Sequence, residues 1–282
     1  MSTQQGGAWN DPYSGGGGSQ IAMPSMTPVV KKIVIINVAI WFVLYFGARF
    51  GDGGFTSMLT QTFGVLPELW KDWLPFFPIW QPLTYGFVHV DAMHVLFNML
   101  GVYFFGTMLE GIIGSRRFLA MYLGSILFSG LCVLLFGFFT SPLANTIGAS
   151  GGVLAIVVAT AVLRPNTPVI FIIFPMTLKV MAMIFVGLDL LRALDSLTGV
   201  GGNVSWMAHL SGAAFGFVLV RKGLIWRDPV QAVEAWNEER QEHKREKDGE
   251  RLDDLLAKIN REGIHSLSAS EKAFLKRVSK RQ

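Results

Sequence analysis

The chain has 282 residues, of which 51% are apolar and only 16% are charged. Most of the charged residues follow Val220, so the part before it is more apolar than the average. Several stretches approach or reach the ~18–20 apolar residues that cross ~30 Å of hydrocarbon. This composition excludes a soluble enzyme with a large core and indicates a membrane protein with several spans.

The net charge of +4 comes without a basic and aromatic module, so nucleic-acid binding is not expected. The single cysteine, Cys132, excludes an intrachain disulfide and a multi-cysteine metal site.

Residues 1–27 are rich in Gly, Ser, Gln and Pro, and we predict a disordered tail because they bury too little apolar surface to order themselves.

The first span is predicted from about Ile33 to Arg49. It is long and lacks a small-residue cleavage pattern, so it is not a cleavable signal peptide. Residues 51–88 are broken by proline and charge but rich in aromatic side chains, which favours a segment folded in the outer membrane interface.

Five further spans are predicted at residues 91–109, 118–139, 148–163, 179–194 and 205–220. The fourth covers only roughly 24 Å, so we expect it to start below the membrane surface and to hold Ser150 there. Residues 169–178 are apolar but contain Pro175, and we expect them to be interfacial. The predicted fold is all-α, with a six-helix membrane domain over residues 28–222 and a helical tail over 223–282.

Six spans place both termini on the same side of the membrane. The basic residues at positions 31–32, 116–117, 164, 179 and 221–222 all flank that side in this count. The opposite side has few, namely Arg49, Lys71 and Arg192. Because cytoplasmic flanks carry the excess of Lys and Arg, both termini are predicted to be cytoplasmic. We expect a multi-pass protein of the cell membrane, in particular a bacterial inner membrane, with the lipid bilayer as its partner.

The tail, residues 223–282, is charged, and its pattern predicts two or three amphipathic helices. Ser268 and Glu271 fit a capping box at the start of the last helix. An apolar stripe is predicted from Leu252, Leu255, Leu256 and Ile259. A small docking module and a charged tail with no further role both fit this pattern.

Ser150 lies between glycines where the fourth apolar run begins. A hydroxyl in such surroundings costs free energy unless it is partnered or used. The first turn of a helix has unpaired N–H groups and a positive dipole end, which suit a developing oxyanion. Gly148, Gly151 and Gly152 would let a substrate backbone approach closely. The alternative is packing, because Gly148 and Gly152 also form a small-xxx-small pair.

His209 is the candidate general base, about one turn into the sixth span and at the same depth as Ser150. Gly212 and Gly216 form a GxxxG face that could dock against the glycines of the fourth span. A hydrogen-bonded structural histidine is the alternative. Asp189 lies near the outer end of the fifth span, but nothing in the sequence directs it toward His209. We therefore predict a two-residue dyad, in which His209 takes the proton of Ser150 and Ser150 attacks a carbonyl.

His94 and Asn98 are four residues apart and lie on one helix face, with Asp91 as the candidate cap of that helix. Both side chains can donate hydrogen bonds to an oxyanion, and a structural polar network is the alternative. His89, Asp91 and His94 lack the spacing of a known metal motif. We expect neither a metal nor another cofactor, and the oligomeric state stays open.

These residues resemble the rhomboid intramembrane serine proteases. The resemblance is carried by Gly148-x-Ser150-Gly151, by His209 with Gly212 and Gly216, by His89, His94 and Asn98, and by Glu110, Gly114 and Arg117 in the turn after the second span. It covers roughly residues 30–222. The charged tail resembles an appendage of some bacterial members.

The resemblance implies Ser150 as nucleophile and His209 as base, with oxyanion donors at His94, Asn98 and the Ser150 amide. Gly148 is expected, with His94 and Asn98, to stabilise the oxyanion or the substrate. The substrates would be single-span membrane proteins, cleaved near the external surface without a cofactor. Some members have an aromatic residue four positions after the serine, which stacks on the histidine. Leu154 stands there in this chain, so another group must orient His209.

A non-proteolytic binding protein and a transporter are the two alternatives to a protease. A rhomboid-like protein that binds client helices without proteolysis would be expected to lack the serine or the histidine, and this chain has both. A transporter usually shows internal repeats and broken helices that meet at the midplane, whereas the polar residues here gather near one face.

Overall fold

The computed structural model describes residues 25–51, 54–72, 77–140, 145–171, 173–198 and 205–279. The tail predicted over residues 1–27 therefore lies outside the described residues, except for its last three positions. Six helices coincide with the six predicted spans. They are α1 (Pro28–Phe50), α3 (Ala92–Ile113), α4 (Ser115–Thr140), α5 (Ser150–Leu163), α6 (Leu178–Leu197) and α7 (Ser205–Arg221).

Three of these helices, α1, α3 and α4, are long and apolar enough to cross a membrane, and α5 is a shorter apolar helix. Together they bear out the prediction of a helical membrane protein. Helix α3 contains one π-helical turn, Val102–Gly106. The number of crossings is still a prediction, because within the described residues length and composition single out three spanning helices and the shorter α5.

The segment between α1 and α3 is folded rather than extended. It contains α2 (Gly54–Phe63), two one-turn helices (Leu69–Asp72 and Gln81–Thr84) and a 3₁₀ turn (Tyr85–Phe87). The buried Gln81 side chain ties the segment together, accepting a hydrogen bond from the Trp70 indole at 3.0 Å and donating to the Gln61 carbonyl at 2.9 Å.

A two-stranded antiparallel hairpin joins α5 to α6. Its strands are β1 (Pro168–Phe171) and β2 (Phe174–Thr177). The prediction of an all-α fold is wrong at this point, because proline disrupts helix interiors and β-branched and aromatic residues favour strands. Ile173 is 74% exposed at the turn, so the hairpin presents an apolar tip.

Glu110, near the end of α3, holds the start of α1. Its carboxylate accepts hydrogen bonds from the Val29 and Val30 N–H groups at 3.1 and 3.0 Å, and from the Thr27 and Ser115 hydroxyls at 2.5 and 2.6 Å. The first N–H groups of a helix lack intrahelical acceptors, and a negative charge there is favoured by the helix dipole. The buried carboxylate is thereby satisfied, and α1 is fixed against the turn between α3 and α4.

Helix α5 forms the centre of the bundle, and most of its residues are buried. The closest approach is to α7. A Cβ atom added at Gly212 would overlap the Gly151 backbone, and one added at Gly216 would overlap the Ala155 backbone. The predicted docking of the GxxxG face against the glycines of the fourth span is therefore confirmed.

The C-terminal part forms a helical hairpin of α8 (Pro229–Glu262) and α9 (Ala269–Ser279). Leu255, Leu267 and Phe274 are buried between the helices. The predicted stripe is narrower than expected, because Leu256 is 51% exposed and faces away from this small core.

The predicted capping box at the start of α9 is confirmed. The Ser268 N–H donates to the Glu271 carboxylate at 2.6 Å, and the Glu271 N–H donates to the Ser268 hydroxyl at 3.3 Å. Hydrogen bonds from the Ser268 backbone and side chain, followed by one from Lys258, lower the pKa of Glu271 to about 2. The carboxylate therefore stays charged at neutral pH and holds both the cap and the lysine of α8.

The close contact between α5 and α7 gives a first prediction. Gly212→Ala should lower the free energy of unfolding by about 1–3 kcal/mol, because the added methyl group forces the two backbones apart. Thermal unfolding in detergent measures the loss. Gly187→Ala is the matched control, since a Cβ atom on this α6 glycine meets nothing within 4 Å. Equal melting temperatures for the two variants would contradict the proposed backbone contact.

Candidate active site

The turn before α5 presents Ser150 as the first residue of the helix. Two N–H groups of the backbone fix this turn by donating hydrogen bonds. The Gly148 N–H donates to the Tyr85 carbonyl at 2.9 Å, and the Ala149 N–H donates to the side-chain Nε2 of His89 at 3.2 Å. Tyr85 and His89 are themselves buried. The folded segment before α3 therefore positions the start of α5.

Gly148 is required at its position for two reasons. Its φ of 110° lies in the region that favours glycine. A Cβ atom there would also lie 2.6 Å from Nε2 of His94. Because the Gly148 amide is bound to Tyr85, it does not donate to an oxyanion in this arrangement. What Gly148 provides is space for the imidazole of His94 beside Ser150.

His209 lies on α7, next to Ser150. Its Nε2 is 2.7 Å from the Ser150 hydroxyl oxygen, within hydrogen-bond distance. The close packing of α5 and α7 brings these two side chains together from positions 59 residues apart. The structure thus joins the two residues that the sequence singled out.

Asp189 contacts the other side of the His209 ring. Both of its carboxylate oxygens lie 3.0 Å from Nδ1 of His209, and Oδ1 accepts a hydrogen bond from Arg192 at 2.9 Å. The Asp189 residue is only 3% exposed. Sequence reasoning missed this contact. The available signal was a carboxylate inside an apolar run, but which helix it faced depends on the packing of α6.

His94 and Asn98 lie on α3 as predicted, and Asp91 caps that helix by accepting from the His94 N–H at 2.9 Å. Asn98 is buried, and its side-chain amide donates to the His94 carbonyl at 2.8 Å. His94 lines the cavity beside Ser150, whereas Asn98 is one turn deeper and is not among the described residues that line it. His94 is thus the better placed of the two for contact with a substrate.

Two cavities meet at Ser150 and His209. The larger, about 480 Å³, has a mixed lining that includes charged and hydroxyl side chains of the turn, α6 and α7. The smaller, about 290 Å³, lies between α5 and α6 and is mainly apolar. Its apolar lining consists of Val153, Leu154, Val157, Phe185 and Leu188. A polypeptide that crossed the Ser150 hydroxyl would therefore meet a polar space on one side and an apolar cleft on the other.

Comparison with known proteins places the chain in a family. A model described as "Rhomboid domain" matches residues 77–224, which is more than half of the chain. The chain belongs to the rhomboid family. A second model, described as a family of unknown function, matches residues 234–281 and so covers most of the helical tail.

Curated relatives are distant. A mitochondrial presenilin-associated rhomboid-like protein A of Danio rerio is 28% identical over 160 residues, which cover 54% of this chain and 40% of the relative. The mitochondrial RHOMBOID-like protein 12 of Arabidopsis thaliana is 31% identical over 159 residues, covering 50% and 46%. The chain thus spans less than half the length of these two relatives. A putative rhomboid protease, YdcA, of Bacillus subtilis is 26% identical over 193 residues, covering 68% and 86%.

The environment of His89 gives a second prediction, which concerns pH. Burial, and secondarily the nearby His94, lowers the pKa of His89 from 6.5 to about 4. The neutral ring, which accepts from the Ala149 N–H, therefore stabilises the fold fully above about pH 6.5. This contribution is lost as the pH falls through 4, and at ~1.4 kcal/mol per pH unit it amounts to about 3 kcal/mol.

Unfolding of the wild type and His89→Gln between pH 7 and pH 4 measures this contribution. The variant should lose less stability than the wild type over this range. His243→Gln is the control, because His243 is an exposed tail histidine and its variant should follow the wild type. A His89→Gln curve parallel to that of the wild type would contradict the assignment.

Proposed function

We propose that this rhomboid is an intramembrane serine endopeptidase that cleaves single-span membrane proteins near the external membrane face. Ser150 is the nucleophile and His209 the general base. The observation that carries the proposal is the 2.7 Å contact between the Ser150 hydroxyl and Nε2 of His209, at the meeting point of two cavities. Nucleophile and base within hydrogen-bond reach are the geometric requirement for acyl transfer.

In the first half of the reaction, Nε2 of His209 takes the Ser150 proton while Oγ attacks the carbonyl carbon of the scissile peptide. The resulting oxyanion is stabilised by the Ser150 N–H, which belongs to the first turn of α5 and has no acceptor within the helix. His94 donates from the opposite wall of the cavity. Asn98 is the proposed third donor, through the amide hydrogen that does not bind the His94 carbonyl.

In the second half, the tetrahedral intermediate collapses: the scissile C–N bond breaks, His209 gives its proton to the leaving amine, and the acyl part of the substrate stays esterified to Ser150. A water molecule then attacks the ester carbonyl, with His209 again as the base, and the serine is regenerated. The 480 Å³ cavity supports this step, because its polar side chains can bind water molecules in a space that is otherwise enclosed by apolar helices. The protein's own side chains supply every proton transfer in this scheme.

The apolar cleft between α5 and α6 supports a membrane-embedded substrate. Val153 and Val157 line one wall and Phe185 and Leu188 the other, with Ser150 and His209 at its end. A hydrophobic segment could place its side chains in this cleft while its backbone reached Ser150. We propose single-span proteins because one such segment can unwind without disturbing neighbouring helices of its own fold.

We further propose that residues 28–222 form a six-span membrane domain and residues 223–282 a separate cytoplasmic helical tail. The basic residues that flank α1, α5 and the end of α7 favour this orientation. Ser150 and His209 then lie toward the external face. A bacterial inner membrane is the proposed location, because the match covers 86% of the Bacillus subtilis relative but only 40% and 46% of the two mitochondrial ones.

The third prediction tests the chemistry. Ser150→Ala and His209→Ala should each abolish cleavage of single-span substrates in liposomes, because one lacks the nucleophile and the other the base. A fluorophosphonate probe should label the wild type at residue 150 and leave Ser150→Ala unlabelled. Unchanged melting temperatures would show that both variants remain folded.

Ser205→Ala is the matched serine control, since Ser205 lines the same cavity at the start of α7. It should cleave at a rate within a few-fold of the wild type. Cleavage that persists in Ser150→Ala would reject the assigned nucleophile. Stable binding of substrates with no cleavage by the wild type would instead favour the non-proteolytic function.

The fourth prediction tests the topology. In a Cys132→Ala background, cysteines introduced at Asn166 and Asp195 should react with a membrane-impermeant maleimide from opposite sides of the membrane. The position at 166 should react from the cytoplasmic side and that at 195 from the external side. Labelling of both cysteines from one side would contradict six crossings.

A further inference from the structure

Asp189 is a buried carboxylate on α6, and the residues that flank it in this helix are mainly apolar. Burying an ion among apolar helices is costly unless hydrogen bonds or opposite charge compensate for it. Two groups do so here: Nδ1 of His209 at 3.0 Å from both carboxylate oxygens, and the Arg192 guanidinium at 2.9 Å from Oδ1. Helix packing could equally have been achieved with an apolar residue at this position, so the carboxylate calls for a chemical explanation.

We propose that Asp189 is a positioning residue that fixes the ring of His209 and its tautomer, and so completes a Ser150–His209–Asp189 triad. This inference rests on the proposed function for its catalytic consequence. The orientation of the ring can be measured independently of that consequence. The sequence predicted only a dyad, and the contacts of Asp189 extend it by one residue.

The groups that contact the two ring nitrogens select the tautomer of His209. An ionised carboxylate only accepts hydrogen bonds, so Nδ1 of His209 must carry a proton to bond to it. Nε2 is then unprotonated, and its lone pair faces the Ser150 hydroxyl at 2.7 Å. This is the only neutral form of the ring that can remove the serine proton. Once it does so, the carboxylate also stabilises the positive ring in a medium of low polarity.

Arg192 keeps the carboxylate in place. Its guanidinium binds Oδ1, and both cavities at Ser150 include Arg192 in their lining. The Arg192 side chain is 64% exposed whereas that of Asp189 is 5% exposed, so the pair reaches from the interior to the cavity surface. Among the described residues, the other charged or titratable groups around His209 include His94, which is near enough to interact with it electrostatically, and Tyr85 and Asp195, which line the same cavity.

Leu154 leaves the orientation of His209 to another group. It is four residues after Ser150 and has no ring that could stack on the imidazole. Leu154 is 6% exposed and forms part of the wall of the smaller cavity. Orientation of His209 by a hydrogen bond from α6 makes stacking from α5 unnecessary.

The test compares Asp189→Asn with the wild type on a single-span substrate in liposomes. The neutral amide can donate to Nδ1 and so favour the opposite tautomer, which leaves a hydrogen on Nε2 facing Ser150. We expect kcat to fall by about 10²–10⁴-fold, by analogy with the loss of the carboxylate in soluble triads. KM should change by less than about threefold, because Asp189 lies behind the histidine.

Three further variants separate positioning from structure. Asp189→Glu keeps a carboxylate and should recover at least tenfold of the lost kcat. Glu250→Gln removes an exposed carboxylate of the tail helix α8, which lines neither cavity, and should retain kcat within about threefold. Arg192→Gln leaves the contact between carboxylate and imidazole and should lose less than tenfold. Melting temperatures of all four variants are measured in the same detergent.

A spectroscopic measurement examines the ring directly. ¹⁵N NMR of histidine-labelled protein distinguishes the two neutral tautomers, and His209→Gln assigns the signal among the five histidines. The wild type should show His209 protonated at Nδ1, and Asp189→Asn should shift the ring toward protonation at Nε2. This readout needs no substrate.

The outcomes distinguish the two proposals. Proteolysis that depends on Ser150 but keeps its kcat in Asp189→Asn, with an unchanged tautomer, would overturn the positioning role alone. A wild type that cleaves nothing, while His209 is protonated at Nδ1 and shifts in Asp189→Asn, would overturn the proposed function and support the role of Asp189. Loss of kcat in Asp189→Asn without recovery in Asp189→Glu and without a tautomer shift would also count against the role.

Discussion

The approach of α5 to α7 is the contact on which the site depends. Neither Gly212 nor Gly216 has room for a Cβ atom, because the backbone of α5 occupies the space where it would lie. Two helices at this separation place residues near their starts within hydrogen-bond distance, and Ser150 and His209 occupy such positions. A single methyl group between the helices would move the serine and the imidazole apart, although neither residue had changed.

Three polar groups inside the bundle are each held by groups from a different part of the chain. Glu110 accepts from the start of α1 and from the first residue of α4. His89 accepts from the amide before Ser150, and Asp189 contacts His209 across the α6–α7 interface. Because such groups cannot turn to bulk water, each of these hydrogen bonds also fixes the relative position of two elements. The geometry of the candidate site and the stability of the fold therefore come from the same contacts.

Much of this arrangement follows from the sequence. Runs of apolar residues placed the helices, the GxxxG pair identified the contact between α5 and α7, and the Ser268–Glu271 spacing predicted a cap that the structure contains. What the sequence lacks is the rotation of each helix about its axis. Asp189 was visible as a charge in an apolar run, yet only the packing of α6 turns it toward His209. The β1–β2 hairpin was missed because four-residue strands give too short a pattern to distinguish from an irregular apolar segment.

The length of α5 sets the depth at which Ser150 lies. Its 14 residues extend about 21 Å, which is less than the ~30 Å thickness of a hydrocarbon layer. Most of its residues are buried against the rest of the bundle. The 480 Å³ cavity lies at the Ser150 end of the helix and is lined in part by charged and hydroxyl side chains. A helix too short to fill the hydrocarbon layer thus leaves room for a polar recess inside the bundle.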